Sequence, residues 1–471
     1  MTTIIKNGHL IAFKDGRHVC IPAGTVAFEG NSITHVGDSY SGEVAETIDA
    51  TGKIICPGFV NAHLHVTDTP FTRGYWEDMG RQGASPNHEG LYRILPTVRG
   101  AVSIEDELIA AECAFAELLL AGSTTVVELG FDFEMMEGGA ISTTERMVEI
   151  AARMGVRAYF GPRYRSGYWS MGDANKVQYH WYADRGRRRF DDCIAFCRSA
   201  DRSHDDMIRT MLAPGQIDTC DADMLRETRK VADRIKVPVQ LHAGQSPTEY
   251  RTIREAHGRS TIDFLGDTGL LGEDFIIGHG MYLTEDGAVD RFPPSELAAL
   301  VESRTTIVHL PWVKARQGAA MRSFGKFARA GVRMGLGTDT YPFDMIQEMR
   351  CAATLSRVMD GSPVATTSAQ IFHAATVGGA EALGRADLGR LQAGAKADIV
   401  LIDARKPHAV PMRDPIGFIV FSATGADVDT VIVNGRTVVS NRIVQTTDLA
   451  AALARLSEAA ARVSARIGDR L

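Results

Sequence analysis

Five side chains far apart in the chain carry the donor types of a divalent-metal site: His63, His65, His242, His279 and Asp339. In Asn61-Ala62-His63-Leu64-His65 the histidines are two residues apart, so on an extended strand both imidazoles project from one face. One ion can take both. Neutral imidazole nitrogens and a carboxylate suit zinc or another borderline divalent ion, and an open coordination position holds water. The ion lowers that water's pKa while a neighbouring carboxylate accepts its proton, so the set points to hydrolysis by metal-bound hydroxide. A single histidine at a strand end is more often a hydrogen-bonding residue than a ligand. The ordered set of five is what argues for the metal.

Positioning these residues requires that distant segments meet. Short apolar stretches at 58–61, 123–128, 156–160, 208–212, 237–241, 275–278, 305–308 and 332–336 read as strands, and 105–120 and 221–235 as amphipathic helices between them. Each of the five donors lies at the carboxyl end of one of these strands. That is the face on which active sites of (β/α)8 barrels assemble, so the expected fold class is α/β, a TIM-like barrel. The pattern by itself also admits an open α/β sheet. Short strand-like units fill 3–55 and recur at 397–402 and 428–439, with Asn434-Gly435 as a hairpin turn. The expected organisation is therefore a small β-sandwich built from both chain ends (1–55 and 386–445), the barrel over 56–385, and a C-terminal helix in 446–471.

At this point the residues resemble a known family, the amidohydrolase superfamily, in the branch containing cytosine, guanine and S-adenosylhomocysteine deaminases and triazine hydrolases. Pro57-Gly58-Phe59-Val60-Asn61-Ala62-His63-Leu64-His65 is similar to its first-strand metal motif, and Arg73-Gly74 to the pair that often follows. Gly122-Ser123-Thr124-Thr125 resembles its second-strand entry, Gly337-Thr338-Asp339 its last metal motif, and 389–400 its return to the small β-domain. The likeness spans nearly the whole chain. It implies that His63 and His65 are first-strand ligands, His242 the fifth-strand ligand and Asp339 the eighth-strand ligand and proton acceptor. His279 would touch the metal or polarise its water and the substrate. It implies one divalent ion per chain, zinc first, with iron, cobalt or manganese compatible. Glu128, ending the second strand, is a candidate bridge to a second metal, set against a plain hydrogen-bonding role.

Two departures bear on the reaction. Where deaminases of that branch have His-x-x-Glu, this chain has His242-Ala243-Gly244-Gln245, and an amide cannot serve as carboxylic acid or carboxylate base. Glu249 would have to be brought back by a loop to replace it. After the seventh strand the chain reads His309-Leu310-Pro311-Trp312-Val313-Lys314-Ala315-Arg316, in which Trp312 offers an aromatic wall and Lys314 and Arg316 cationic anchors. The equal alternative packs Trp312 on the rim and leaves both cations in water. Tyr75, Trp76 and the aromatic loop 164–182, with Trp169, are candidate covers for a planar ligand, or a contact between subunits.

The expected function is a metal-dependent hydrolase acting on a small aromatic, heterocyclic or amide-like substrate at a non-peptide C–N bond. The alternatives are an aminated-heterocycle deaminase releasing ammonia and a non-catalytic metal-stabilised binding protein. A net charge of −7 leaves no basic footprint for nucleic acid, and Arg185-Gly-Arg187-Arg188-Arg189 is too brief to supply one. No apolar run reaches membrane-spanning length, and the start has no basic region followed by a long apolar segment. The seven scattered cysteines form neither a disulfide framework nor a zinc-finger spacing. A cytoplasmic homodimer or larger homo-oligomer is expected, with a small molecule as substrate.

Overall fold

Eight short strands, Phe59–Leu64, Ser123–Glu128, Arg157–Phe160, Ile208–Thr210, Val239–Ala243, Phe275–His279, Thr306–His309 and Arg333–Leu336, form the centre of the computed structural model. The structure describes residues 1–67, 69–76, 90–130, 140–172, 176–287, 292–322 and 324–471. The first four strands pair in parallel as one ladder and the last four as another. Bridges Leu64 to Asp339 and Leu212 to Val239 join the two ladders and close the ring. The open-sheet alternative is thereby replaced by the barrel. Nearly every strand residue is buried, because side chains face either the barrel interior or the helices outside; hence the continuous apolar runs.

Local signals set the helices. Ser103 caps helix Ile104–Leu120 by accepting from the Asp106 amide, while the Asp106 carboxylate accepts from the Ser103 amide. Asp221 caps Ala222–Ile235 through the Met224 amide. The C-terminal helix Leu449–Ile467 returns to the barrel, packing Ala459, Val463 and Ile467 against Val98, Val102 and Ala110. Its Arg462 and Arg466 donate to Asp106 at 2.8 and 2.7 Å.

Both chain ends meet in one connected nine-stranded sheet, folded around an apolar filling that includes Ile5, Leu10, Val26, Phe28 and Ile432. The joint is Lys53–Pro57, antiparallel to Ile399–Asp403. Two tight turns, Asp15-Gly16 and Asn434-Gly435, have positive φ at both residues, the conformation that matches the twist of a two-residue hairpin. Arg157 ties barrel to sheet: fully buried at the start of the third barrel strand, it donates Nε and Nη2 to Asp398, each at 3.1 Å. No helix among the described residues is long and apolar enough to cross a membrane.

Candidate metal centre and its cavity

The two-residue spacing on the first strand does what an extended chain requires: His63 and His65 lie on the same side, ring centroids 5.2 Å apart. His242 and His279 enter from the fifth and sixth strands, and Asp339 just beyond the eighth. One donor atom from each of His63, His242, His279 and Asp339 lies within 4.8 Å of all the others. His65 adjoins this group, its Nε2 3.3 Å from that of His242 and 3.4 Å from Asp339 Oδ1. Glycines make the approach possible. A Cβ at Gly278 would fall 2.8 Å from His63 Cε1, and one at Gly337 would fall 2.8 Å from the His63 amide nitrogen.

Hydrogen bonding behind the rings decides which nitrogen faces the centre. His65 Nδ1 donates to the Leu129 carbonyl at 2.8 Å and His242 Nδ1 to the Gly215 carbonyl at 2.7 Å. His63 Nδ1 donates to Gln240 Oε1 at 2.8 Å, and that amide is oriented by its own Nε2 donating to the Ala62 carbonyl. With their protons held on Nδ1, all three present an Nε2 lone pair inward, beside a carboxylate. His279 is fully buried and neither of its nitrogens has a partner among the described residues. Such a convergence of acceptors fits a divalent cation and little else.

The electrostatics agree. Burial, then the neighbouring imidazoles and Arg163, takes His242 well below the usual histidine pKa; burial does the same to His279. His279 and Asp339 also have φ of 76° and 60°, left-handed values costly for residues with a Cβ. Strain of this kind concentrates at functional sites.

A cavity opens beside the centre, lined by His65, His242, Asp339, Gln245 and Gln216, with Trp76 and Trp169 among its walls and Arg99, Arg163 and Lys314 contributing cations. Of the candidate substrate contacts, Trp76, Trp169, Gln245 and Lys314 line it, whereas Tyr75, His309, Trp312 and Arg316 are absent from that lining. Arg316 instead lies over the Tyr341 ring and donates to Thr340. Trp312 is half-buried, its amide donating to Glu348. Lys314 corrects the solvated alternative: it is 1% exposed. The aromatic segment is a hairpin, Gly167–Met171 with Val177–Trp181, rather than a loop; residues 173–175 lie outside the described residues. Only Trp169 of its aromatic residues is in the lining. Tyr164 is core and Trp181 is exposed.

Two carboxylates take places that spacing did not reveal. Glu128 Oε2 accepts from the Val66 amide at 2.8 Å, fixing the chain just beyond His65, and it is not part of the donor cluster. Glu249 needs no long loop. On the first turn of helix Pro247–His257, it is fully buried and accepts from the Gly244 and Gln245 amides and from Gln216 Nε2. Burial, with the nearby Asp218 charge, pushes its carboxyl up. Sequence reasoning also passed over Gln240, Gln216, Arg99 and Arg163. Gln240 had a usable signal, since it precedes His242 by two on one strand and so shares its face. Arg99 ends the five-residue helix Leu95–Arg99, Arg163 opens the two-residue strand Arg163–Tyr164 and Gln216 lies in a loop, all too short for a periodicity to read.

A model of the amidohydrolase family matches residues 54–438. The 5-methylthioadenosine/S-adenosylhomocysteine deaminase of Pelotomaculum thermopropionicum is 29% identical, over 98% of this chain and 99% of that protein. A zinc-bound adenosine deaminase from Xanthomonas campestris superposes with a TM-score of 0.83 at 23% identity, covering 98% of each chain. An atrazine chlorohydrolase variant from Arthrobacter aurescens, complexed with zinc and atraton, gives 0.84 at 22%, over 97% of this chain and all of that one. Continuous coverage, with the donor cluster on the strand ends, places the chain in a single class: it belongs to the amidohydrolase family.

Proposed function

We propose that this protein hydrolyses a non-peptide C–N bond of a small heterocyclic or amide-like molecule, with aminated purine nucleosides and aminated triazines as the first candidates. One observation carries the reading: donor atoms of His63, His242, His279 and Asp339 converge, with His65 adjoining, beside a cavity walled by Trp76 and Trp169 that His65, His242 and Asp339 help to line. A single divalent ion, zinc by analogy with the zinc-bound neighbours, would be held among His63, His242, His279 and Asp339, with His65 adjoining. When bound, that ion supplies a water acidic enough to attack near neutral pH.

The chain's own groups do the rest. Asp339 takes the proton of the attacking water, and His279, from the adjacent strand end, polarises the electrophilic carbon's substituent. Trp76 and Trp169 give a planar ring two apolar faces. Gln245 hydrogen-bonds to the substrate but transfers no proton. The binding-protein alternative gives way to catalysis, because the donor cluster and the proton acceptor sit together in an accessible cavity. Seven free cysteines support a cytoplasmic location, and a homo-oligomer, read from the aromatic surface segment, is checked by light scattering.

The test is turnover by zinc-loaded enzyme of adenosine, 5-methylthioadenosine, 2-amino-1,3,5-triazine, cyclic amides and aryl carbamates, with ammonia and product mass both recorded. Ammonia in step with a one-oxygen product supports the deaminating form. A product without ammonia, from the cyclic amides or carbamates, assigns the cleavage to an amide or carbamate instead of an amino substituent, which Gln245 leaves open. No turnover of any class contradicts the proposal.

A further inference from the structure

Cleaving a C–N bond requires that the departing nitrogen receive a proton, and the residue usually expected at position 245 to handle it is an amide here. The remaining described side chains of the cavity narrow the choice. The Nδ1 protons of His65 and His242 are engaged by the Leu129 and Gly215 carbonyls. Arg99 and Arg163 keep their protons at any working pH, and hydroxyls and amides are too weakly acidic. Glu249 is acidic but absent from the lining, its oxygens turned to the Gly244 and Gln245 amides and to Gln216. Lys314 remains. It stands in the short helix Pro311–Ala315 directly after the seventh strand, between the elements that deliver His279 and Asp339, and its side chain is buried in the lining that Asp339 and Gln245 share.

We propose that Lys314 is the proton donor to the leaving nitrogen, with Gln245 reduced to orienting the substrate. This rests on the C–N hydrolase reading above. Water oxygen bonds to the ring carbon and one water proton passes to Asp339. The C–N bond breaks with its electron pair going to nitrogen, and the Lys314 ammonium gives that nitrogen a proton, becoming a neutral amine. The proton on Asp339 then returns to Lys314 through solvent. The sum is R–NH2 plus H2O giving R–OH plus NH3. Burial lowers the Lys314 ammonium to about 8, against the opposing pull of Asp339 and Glu249, which puts proton release within reach near neutral pH.

The experiment compares leaving groups that need a proton with ones that do not, on one carbon: adenosine against 6-chloropurine riboside, and 2-amino- against 2-chloro-1,3,5-triazine. For Lys314→Met, kcat on the amine should fall about 100-fold or more, at least about tenfold further than any loss on the chloride substrate. Lys314→Arg, which keeps the charge and guards against a folding failure of the first variant, should show the same amine-specific loss. Adding Gln245→Glu to Lys314→Met should recover at least about tenfold of the amine reaction. Zinc per chain and circular dichroism should match wild type throughout. Equal losses on amine and chloride, or full amine turnover by Lys314→Arg, would overturn the assignment of Lys314 while leaving the hydrolase reading in place. Failure of wild type on both members of both pairs would instead overturn the parent reading for these scaffolds and the assignment with it.

Discussion

The Nε2 atoms of His65 and His242 face each other at 3.3 Å, each ring having given its Nδ1 proton to a backbone carbonyl. A hydrogen bond between them would need one ring doubly protonated, and burial lowers the pKa of both. Two lone pairs this close repel unless a cation lies between them. Stripping the metal should therefore lower thermal stability. Restoring zinc at 100 times its dissociation constant should return about 2.7 kcal/mol, read by calorimetry across a zinc titration. A melting temperature indifferent to zinc would contradict the site.

Asp339→Asn removes the proposed proton acceptor while keeping its shape. Turnover should drop by about 10²- to 10⁴-fold with the circular dichroism spectrum unchanged. Unaltered turnover in steady-state assays would remove Asp339 from its role.

Gln240 never touches the donor cluster's centre, yet it holds the His63 ring and is itself held by Ala62. Gln240→Leu releases the ring to other orientations. Zinc affinity, measured by competition with a chromophoric chelator, should weaken about 10- to 100-fold.

His309 is buried and lined up with the site in sequence, but structurally it is a core residue beside Phe324. Burial lowers its pKa from 6.5 to about 3. Because the folded value lies below the unfolded one, the stability it contributes is full above about pH 6.5 and is lost as pH falls towards 3. His309→Gln should flatten the acid limb of stability by about 1.4 kcal/mol per pH unit below 6.5. Paired denaturation curves at about pH 5.5 and 4.5 measure this, and identical slopes in the two proteins would count against it.

Arg157→Met would leave the Asp398 carboxylate buried, with only the Asn434 backbone amide, among the described residues, still donating to it. Losing one member of a buried ion pair costs about 3 to 5 kcal/mol. Urea unfolding should show that loss, and adding Asp398→Asn should recover part of it. Additive losses in the double variant would mean the pair is not coupled.

The strands and their order were legible because a barrel strand buried on both faces is a short apolar run, and His63 and His65 were legible as a pair because extended chain repeats every two residues. The Asn434-Gly435 hairpin followed from turn chemistry alone. The aromatic segment was misread as a loop, since Gly and Asp occur in hairpins as well as in irregular chain. Depth was not legible at all. Nothing in Trp312-Val313-Lys314-Ala315-Arg316 says that Lys314 turns into the cavity while Arg316 lies over Tyr341; that depends on how a five-residue helix sits on the barrel rim.

The sequence by itself determined the donor types, their order and the strand ends that carry them, because these depend on local periodicity and side-chain chemistry. Only the tertiary structure decided which nitrogen each imidazole presents and that Glu128 fixes backbone beside the cluster. Those outcomes are set by carbonyls, amides and ring faces brought together from strands far apart in the chain, contacts that exist only after the barrel has closed.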